Sequence, residues 1–319
     1  MLDKILNRDI DKREIVEYVT EHPDEFINFT TDAFSDTKPE SLVLKQRLLE
    51  FVDLLNDKLA MEVVVRAIQD PEGTIRVSGL QSAYRRRFDS FNPAVAKILE
   101  NNDELFEARK WAIHILGSTD SDEYGRLLRM IARNQLVELE LRKEAIFTLT
   151  NIPNDETIGA ICTLLGDPNS EIRQSGAWAL SKIGSSQSIL CLLAALEDEE
   201  EDVRDWAIRG LRDMDDARAL QGLADTMKKC NPKEQERMIR LVVEKRSEII
   251  LRAIAELLLS SDVGVKRQAA WAMGVSPYPP AAGNLEILLD DEDEQVRTYA
   301  KEGLVRLGHI KPTDFDPIL

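Results

Sequence analysis

The sequence repeats a short pattern of acidic, apolar and basic residues along most of its length. Segments 70–79 and 167–176 align without a gap, and each opens with Asp-Pro. An apolar residue followed by Arg or Lys recurs, mostly at steps of about 31 residues or twice that, at Leu44-Lys45, Ile75-Arg76, Leu141-Arg142, Ile172-Arg173, Val203-Arg204, Val265-Lys266 and Val296-Arg297. A unit of this length cannot bury its own apolar face, so neighbouring units are expected to stack in a one-dimensional array.

The spacing within each unit predicts a helical hairpin. In the unit beginning at Ile172, Gly176 follows four residues later and Leu180 eight residues later, which places all three on one face of a helix. A second apolar segment of helical length, such as 157–165, precedes this helix across an Asp-Pro turn. We therefore expect an outer helix A and an inner helix B in each unit, and about nine hairpins in the chain.

The pattern D-x-x-x-x-(V/I)-R-x-x-(A/G)-x-x-x-L, present at 167–180 and 198–211, carries a family resemblance. It resembles HEAT repeats, specifically the short HEAT-like repeats of the phycobilisome lyase type. The resemblance extends over residues 39–308. It implies an all-α, right-handed α-α superhelical solenoid, built as a single domain over 1–319. Residues 1–38 would form N-terminal capping helices and 309–319 a C-terminal tail.

An acidic and a basic column run through the repeats. An aspartate stands six residues before the base in several units, which places the acid at the A-to-B turn and the base in the first turn of helix B. In HEAT-like arrays such pairs form a structural ladder that ties adjacent repeats together. The predicted ladder residues are Asp70, Arg76, Arg142, Asp167, Arg173, Asp198, Arg204, Lys266, Asp291 and Arg297.

The side of helix B opposite its core residues is predicted to line a concave groove, where solenoids usually bind partners. A rotation of about 100° per residue places Trp178 on that side, and Trp271 occupies the same slot. The predicted partner-binding residues are Tyr84, Trp111, His114, Phe147, Trp178, Lys182, Arg209, Arg212, Arg240 and Trp271. Two interpretations stay open for the aromatic residues: contact with a partner, or packing between repeats. Trp206 is predicted to pack.

Two charged segments stand outside the groove pattern. Residues 84–87 read Tyr-Arg-Arg-Arg at the end of a B helix, where cations favour the helix dipole and where a phosphate could also bind. The acidic runs 197–202 and 290–294 fall at A-to-B turns. They are expected to be solvated, with docking of a basic partner as the alternative.

The composition of the chain disfavours several classes of partner and location. The chain has 58 Asp and Glu against 41 Lys and Arg, a formal net charge of −17, which disfavours nucleic acid and anionic lipid as partners. The sequence contains no span of roughly 20 apolar residues and no secretory leader pattern, so a cytoplasmic location is expected. Three cysteines without C-x-x-C spacing predict reduced, mostly buried thiols rather than a disulfide framework or a zinc site.

These observations favour a non-catalytic scaffold or assembly factor that binds a peptide or helix with apolar and acidic side chains. No catalytic, nucleotide or metal motif is present in the sequence, so no cofactor is predicted. The resemblance leaves a first alternative, a bilin lyase or chromophore chaperone. A second alternative, a HEAT-like DNA glycosylase of the alkylation-repair type, is disfavoured by the acidity of the chain.

Overall fold

The computed structural model describes Ile5, residues 11–119 and residues 121–311. Within these ranges the chain forms α-helices and short 3₁₀ turns and no β-strand. By its internal contacts the chain divides into two compact units, Met1–Ile152 (unit 1) and Pro153–Leu319 (unit 2). The predicted tail over 309–319 lies outside the described residues beyond position 311. A single domain over 1–319 and a continuous array over 39–308 stay predictions.

Unit 1 is a stack of helical hairpins. Its helices are α1 (Lys12–Glu21), α2 (Pro23–Ser35), α3 (Ser41–Phe51), α4 (Asp57–Ile68), α5 (Gly73–Arg86), α6 (Asn92–Glu100), α7 (Phe106–Gly117), α8 (Asp122–Arg133) and α9 (Leu139–Leu149). The A helices α2, α4, α6 and α8 pair with the B helices α3, α5, α7 and α9, and each B helix packs on the next. Helix α2 lies within residues 1–38, which are predicted to form the N-terminal capping helices, and it pairs with α3 as an A helix.

Unit 2 repeats this arrangement. Its helices are α10 (Asp155–Leu164), α11 (Ser170–Ile183), α12 (Ile189–Ala195), α13 (Glu201–Asp213), α14 (Ala217–Lys229), α15 (Pro232–Val242), α16 (Glu248–Leu257), α17 (Val263–Val275), α18 (Ala282–Ile287) and α19 (Glu294–Arg306). Five A-B pairs follow one another, and the B helices α11 to α19 pack in sequence. The described residues of the two units therefore contain four and five hairpins, in agreement with the predicted number.

Local sequence explains where these helices begin. Asn56, Asn154 and Asn169 lie just before α4, α10 and α11, and each side chain accepts a hydrogen bond from a main-chain N–H of the first turn. Such caps satisfy donors that have no partner inside the helix. The buried faces carry small and aliphatic residues at helical spacing, and the hairpins stack through them.

Small residues allow the B helices to approach closely. A Cβ added to Gly117 at the end of α7 would lie 1.7 Å from Cγ2 of Thr148 in α9. Any side chain at this position would push the two B helices apart. Gly184 ends α11 with φ of +65°, a left-handed conformation that glycine adopts without steric cost.

Candidate functional site

Basic side chains near the start of the B helices join consecutive hairpins at their A-to-B turns. In unit 2, Arg173 donates to the main-chain oxygen of Asp167 in its own turn (3.1 Å) and to the carboxylate of Asp198 in the next turn (2.8 Å). Arg204 repeats this arrangement with the main-chain oxygen of Asp198 (2.7 Å) and the carboxylate of Glu234 (3.2 Å). The aspartate six residues before each base thus supplies a carbonyl, and the carboxylate comes from the next hairpin.

Unit 1 contains the same contacts, including partners that the sequence pattern missed. Arg76 donates to the main-chain oxygen of Asp70 (2.6 Å) and to the carboxylate of Glu104 (2.7 Å). Arg109, whose side chain is fully buried, pairs with Glu138 at 3.1 Å. The repeat pattern does not single out Arg109, because Ala108 rather than a larger apolar residue precedes it.

The remaining predicted ladder residues make related contacts. Arg142 donates to the main-chain oxygen of Ala132 (2.9 Å). Lys266 pairs with the carboxylate of Asp291, and Arg297 donates to the main-chain oxygen of Asp291 (2.7 Å). The pair of Lys266 and Asp291 joins two hairpins and favours a ladder for the basic column, whereas the contacts of Arg142 with Ala132 and of Arg297 with Asp291 lie within one hairpin.

The contact between Lys266 and Asp291 predicts a pH dependence of stability. The Lys266 ammonium is the largest influence that lowers the pKa of the Asp291 carboxyl below its ordinary value of 3.8. A carboxyl with a lowered pKa in the folded state contributes stability above its unfolded pKa, and this contribution is lost as pH falls from about 4 through the lowered value. In urea titrations, we expect Lys266→Met to be destabilised at pH 7 and to approach the unaltered protein at pH 3.

A matched control is available on another B helix. Lys182 in α11 is exposed and makes no ion pair with any residue that the structure describes. Lys182→Met removes the same charge, so its urea midpoint should differ little from that of the unaltered protein at either pH. A pH-independent loss of stability in Lys266→Met would show that the Asp291 carboxylate is not responsible.

We call the solvent-facing side of the B helices, away from the A helices, the B face. In unit 1 it carries an aromatic cluster of Tyr84 in α5 with Trp111 and His114 in α7. The ring centroids of Tyr84 and Trp111 lie 5.5 Å apart, and those of Trp111 and His114 lie 5.9 Å apart. Tyr84 is 43% exposed, and Phe147 in α9 is 53% exposed. The structure thus brings together three of the predicted groove residues and leaves large apolar surface in water.

Polar groups fix one side of this aromatic cluster. Glu144 in α9 lies 2.9 Å from the ammonium of Lys110 and 3.6 Å from Nε2 of His114. Its hydrogen bond raises the pKa of Lys110 above the ordinary value of 10.5. The sequence pattern does not single out Lys110 or Glu144, although both stand within one helical turn of a predicted groove residue.

The predicted groove residues of unit 2 have more varied surroundings. Trp178 and Trp271 are half-buried, and Lys182 is exposed. The guanidinium of Arg209 lies over the ring of Trp206, 6.0 Å from its centroid. A cation over an aromatic ring is attracted by its electron-rich face.

The two other arginines of the predicted groove differ in how far their guanidinium groups are already bound within the protein. Arg212 donates to the carboxylate of Asp213 (2.7 Å) and to the main-chain oxygen of Leu241 (2.8 Å). The Asp213 carboxylate is the main cause that raises the pKa of Arg212. Arg240 is exposed, donates to Gln268 at 3.3 Å and lies 3.9 Å from the carboxylate of Glu236 in its own helix. Arg240 therefore has donors to offer a partner, whereas Arg212 is bound within the unit.

The basic run at the end of α5 is largely paired within the protein. Arg85 contacts the carboxylate of Asp53 at 3.1 Å, and Arg86 pairs with Asp57. Arg86 also donates to a main-chain oxygen in the turn before α4. These contacts favour the structural interpretation of the run over a phosphate site.

The prediction that all three cysteines are reduced is wrong for two of them. Cys162 in α10 and Cys191 in α12 form a disulfide with a Cα–Cα distance of 5.6 Å. They are 29 residues apart, close to one repeat length, so stacking places them on neighbouring A helices. Cys230 is a free, half-buried thiol, and burial raises its pKa to about 11.

Membrane spans and metal clusters are both absent from the described part of the chain. None of the helices in these ranges combines the length and the hydropathy that a bilayer crossing requires. Nor do the described residues bring three or more His, Cys, Asp or Glu side chains together in an arrangement that could hold a metal ion.

Comparisons with known proteins agree with this geometry. A family model described as HEAT repeats matches residues 135–212. Residues 135–212 therefore match HEAT repeats. The chain is also similar to Protein YibA from Escherichia coli (strain K12), at 35% identity over 91 residues, which is 28% of this chain and 32% of YibA. The chain thus matches about a third of the length of this relative.

A solved structure shows the same all-α solenoid fold, and a second gives a weaker match. A chain of the Kap95:Nup1 complex superposes with a TM-score of 0.57 at 11% identity, covering 99% of this chain and 51% of that chain. A chain of the complex of CpcE and CpcF of phycocyanin lyase from Nostoc sp. PCC7120 gives a TM-score of 0.39 at 15% identity, covering 68% and 87%. The first confirms the all-α solenoid class, and the second is too low to bear on a lyase activity.

Proposed function

We propose that this protein is a non-catalytic scaffold or assembly factor that binds a segment of another protein on its B face. The observation that carries the proposal is the aromatic cluster of unit 1. Tyr84 and Phe147 expose large apolar surface on B helices of this unit, and Trp111 lies between them in the stack. Exposed aromatic surface that a partner covers is typical of the residues that dominate binding energy.

The chemistry of the B face defines the proposed partner. The aromatic cluster would take apolar side chains. In unit 2, the exposed cations of Lys182 and Arg240 stand on the same helix layer as Trp178 and Trp271, and they would pair with partner carboxylates. Kap95, which shares the fold, is seen in a complex with another protein, Nup1. A peptide or helix with apolar and acidic side chains fits these surfaces, and a cytoplasmic location stays part of the proposal.

The alternative function, a bilin lyase or chromophore chaperone, would use the same surface to bind a tetrapyrrole. A tetrapyrrole would stack on Trp178 or Trp271 and place its propionates on Arg209 or Arg240. Titration of the protein with a bilin would then quench tryptophan fluorescence and change the bilin absorption spectrum. The protein-scaffold proposal predicts neither change.

The test of the scaffold proposal is the double variant Tyr84→Ala, Trp111→Ala. We expect a partner captured from native extract by the unaltered protein, and identified by mass spectrometry, to bind the variant at least about 30-fold more weakly once purified. Isothermal titration calorimetry measures the dissociation constants, and circular dichroism checks that the helical content is unchanged.

The A helices of the same unit supply the control. Tyr124 in α8 is a half-buried tyrosine on the other helix layer, so Tyr124→Ala removes a similar side chain away from the B face. Its affinity should match that of the unaltered protein. Equal affinity in the Tyr84→Ala, Trp111→Ala variant would instead show that the cluster packs between repeats and does not contact the partner.

A further inference from the structure

The A-to-B turns of two hairpins in unit 1 form a surface distinct from the B face. Arg109 in α7 joins them, because it contacts the side chain of Asn102 in one turn at 3.4 Å and the carboxylate of Glu138 in the other at 3.1 Å. Three large apolar side chains stand at these turns. Leu105 is 45% exposed, Phe106 is 37% exposed and Leu136 is 95% exposed. We call these three residues the edge patch.

Two residues of the edge patch, Leu136 and Leu105, occupy positions that are polar in most other repeats. Leu136 stands six residues before Arg142, where five other repeats place an aspartate: Asp70, Asp103, Asp167, Asp198 and Asp291. The N–H of Leu136 donates to the side chain of Asn134 at 3.0 Å, and the neighbouring Val137 is buried while Leu136 is not. An apolar residue therefore stands in place of an acid at a site where the fold gives it almost no contact.

The N-cap of α7 departs from the other repeats in the same way. Leu105 is an apolar residue at this position, where α9 and α13 have a glutamate and α11 and α19 have the capping residues Asn169 and Asp293. Leucine at an N-cap is less favourable for the helix than a capping residue. Leu105 does rest on Gly73 of the preceding B helix. That contact explains part of its burial but not the exposed remainder, nor Phe106 beside it.

The acidic residues beside the edge patch indicate the charge of the partner that binds there. Asp103 and Glu107 flank Leu105 and Phe106, and both are exposed. Glu107 also interacts electrostatically with Lys110 in the same helix. The Arg109 guanidinium beneath the turns is already neutralised by Glu138. A second copy of the chain would bring the same acidic flanks and a net charge of −17, so two copies repel each other. A cationic partner meets the opposite situation, because the same charges attract it.

We propose that the edge patch docks an amphipathic helix of another protein, with Leu-like side chains on one face and Lys or Arg along its flanks. The apolar face of the helix covers Leu105, Phe106 and Leu136, and its cations face Asp103 and Glu107. This partner has the opposite charge to the one proposed for the B face. The two surfaces therefore bind different segments.

The test uses three fluorescein-labelled peptides of about 18 residues, long enough for five helical turns, and fluorescence anisotropy at physiological salt. One is an amphipathic Leu/Lys helix, the second has Glu in place of Lys, and the third is a scrambled Leu/Lys sequence without an apolar face. We expect the first to bind more tightly than either of the others. Equal binding of the scrambled peptide would overturn the proposal, because charge alone would then explain the affinity.

The decisive variant is Leu136→Asp, which installs the residue that other repeats carry and so should fold normally. It also adds a negative charge. Simple charge attraction predicts tighter binding of the Leu/Lys helix, whereas docking on the edge patch predicts binding at least about tenfold weaker. Binding as tight as that of the unaltered protein, or tighter, would overturn the proposal.

Two controls locate the effect. Leu190 is 79% exposed on α12 of unit 2, so Leu190→Asp makes the same change away from the edge patch and should bind the Leu/Lys helix at least as well as the unaltered protein. Sedimentation equilibrium tests whether a second copy of the chain occupies the edge patch instead. Concentration-dependent dimers that Leu136→Asp abolishes would identify the patch as an interface between copies and overturn the proposal. Tyr84→Ala, Trp111→Ala should leave peptide binding intact, which separates this surface from the B face.

Discussion

Replacing Lys45 by methionine is expected to lower the free energy of unfolding by about 3–5 kcal/mol. Lys45 in α3 lies 2.8 Å from Oδ2 of Asp70, and the two side chains are 1% and 0% exposed. A methionine fills nearly the same volume but leaves the carboxylate of Asp70 buried without its counter-charge. Removing one partner of a buried pair is costly for this reason, even where the pair as a whole adds little net stability. Urea denaturation followed by circular dichroism measures the change.

Two further variants isolate the cause. Lys12→Met removes a lysine whose partner Glu50 lies 3.7 Å away, with both side chains nearly half exposed, and it should cost less than about 1 kcal/mol. The double variant Lys45→Met, Asp70→Asn removes the stranded charge and should regain a substantial part of the lost stability. If Lys45→Met costs no more than Lys12→Met, or if the double variant is no more stable than the single one, an uncompensated Asp70 carboxylate is not what destabilises the protein.

The ladder shows how far the sequence alone could lead. The sequence alone predicts the acid and the base that stand six residues apart, because both lie within one hairpin. The carboxylate that each base binds lies in the next hairpin, 25 residues away for Arg173 and Asp198 and 30 for Arg204 and Glu234. That distance varies with turn length, so only the stacked structure identifies the partner.

The B face and the edge patch illustrate the same limit. Helical rotation placed Tyr84, Trp111 and His114 on one side of their helices, because the 3.6-residue period depends on local sequence alone. Their assembly into a cluster depends on how α5 and α7 stack. Leu136 could have been noticed from the sequence as a leucine in an aspartate column. Its 95% exposure, which shows that this leucine makes almost no contact within the protein, depends on the path of the turn.

The disulfide between Cys162 and Cys191 is expected to contribute about 3–4 kcal/mol to the stability of the protein, since it closes a loop of about 30 residues in the unfolded chain. The double variant Cys162→Ala, Cys191→Ala should therefore lower the urea midpoint markedly, and dithiothreitol should lower that of the unaltered protein in the same way. Cys230→Ala changes a free thiol outside this bond and should shift the midpoint much less.

Thiol titration in denaturant decides whether this bond exists in the isolated protein. Without reductant, Cys230 alone should react, and all three cysteines should react after reduction. Three reactive thiols without reductant would contradict the disulfide and restore the sequence prediction of reduced cysteines. The same titration on protein isolated from cells that were quenched with acid tests the predicted cytoplasmic location. Persistent disulfides are rare in the cytosol and common in oxidising compartments. A bond present in cells would count against the predicted cytoplasmic location, whereas three free thiols would favour it.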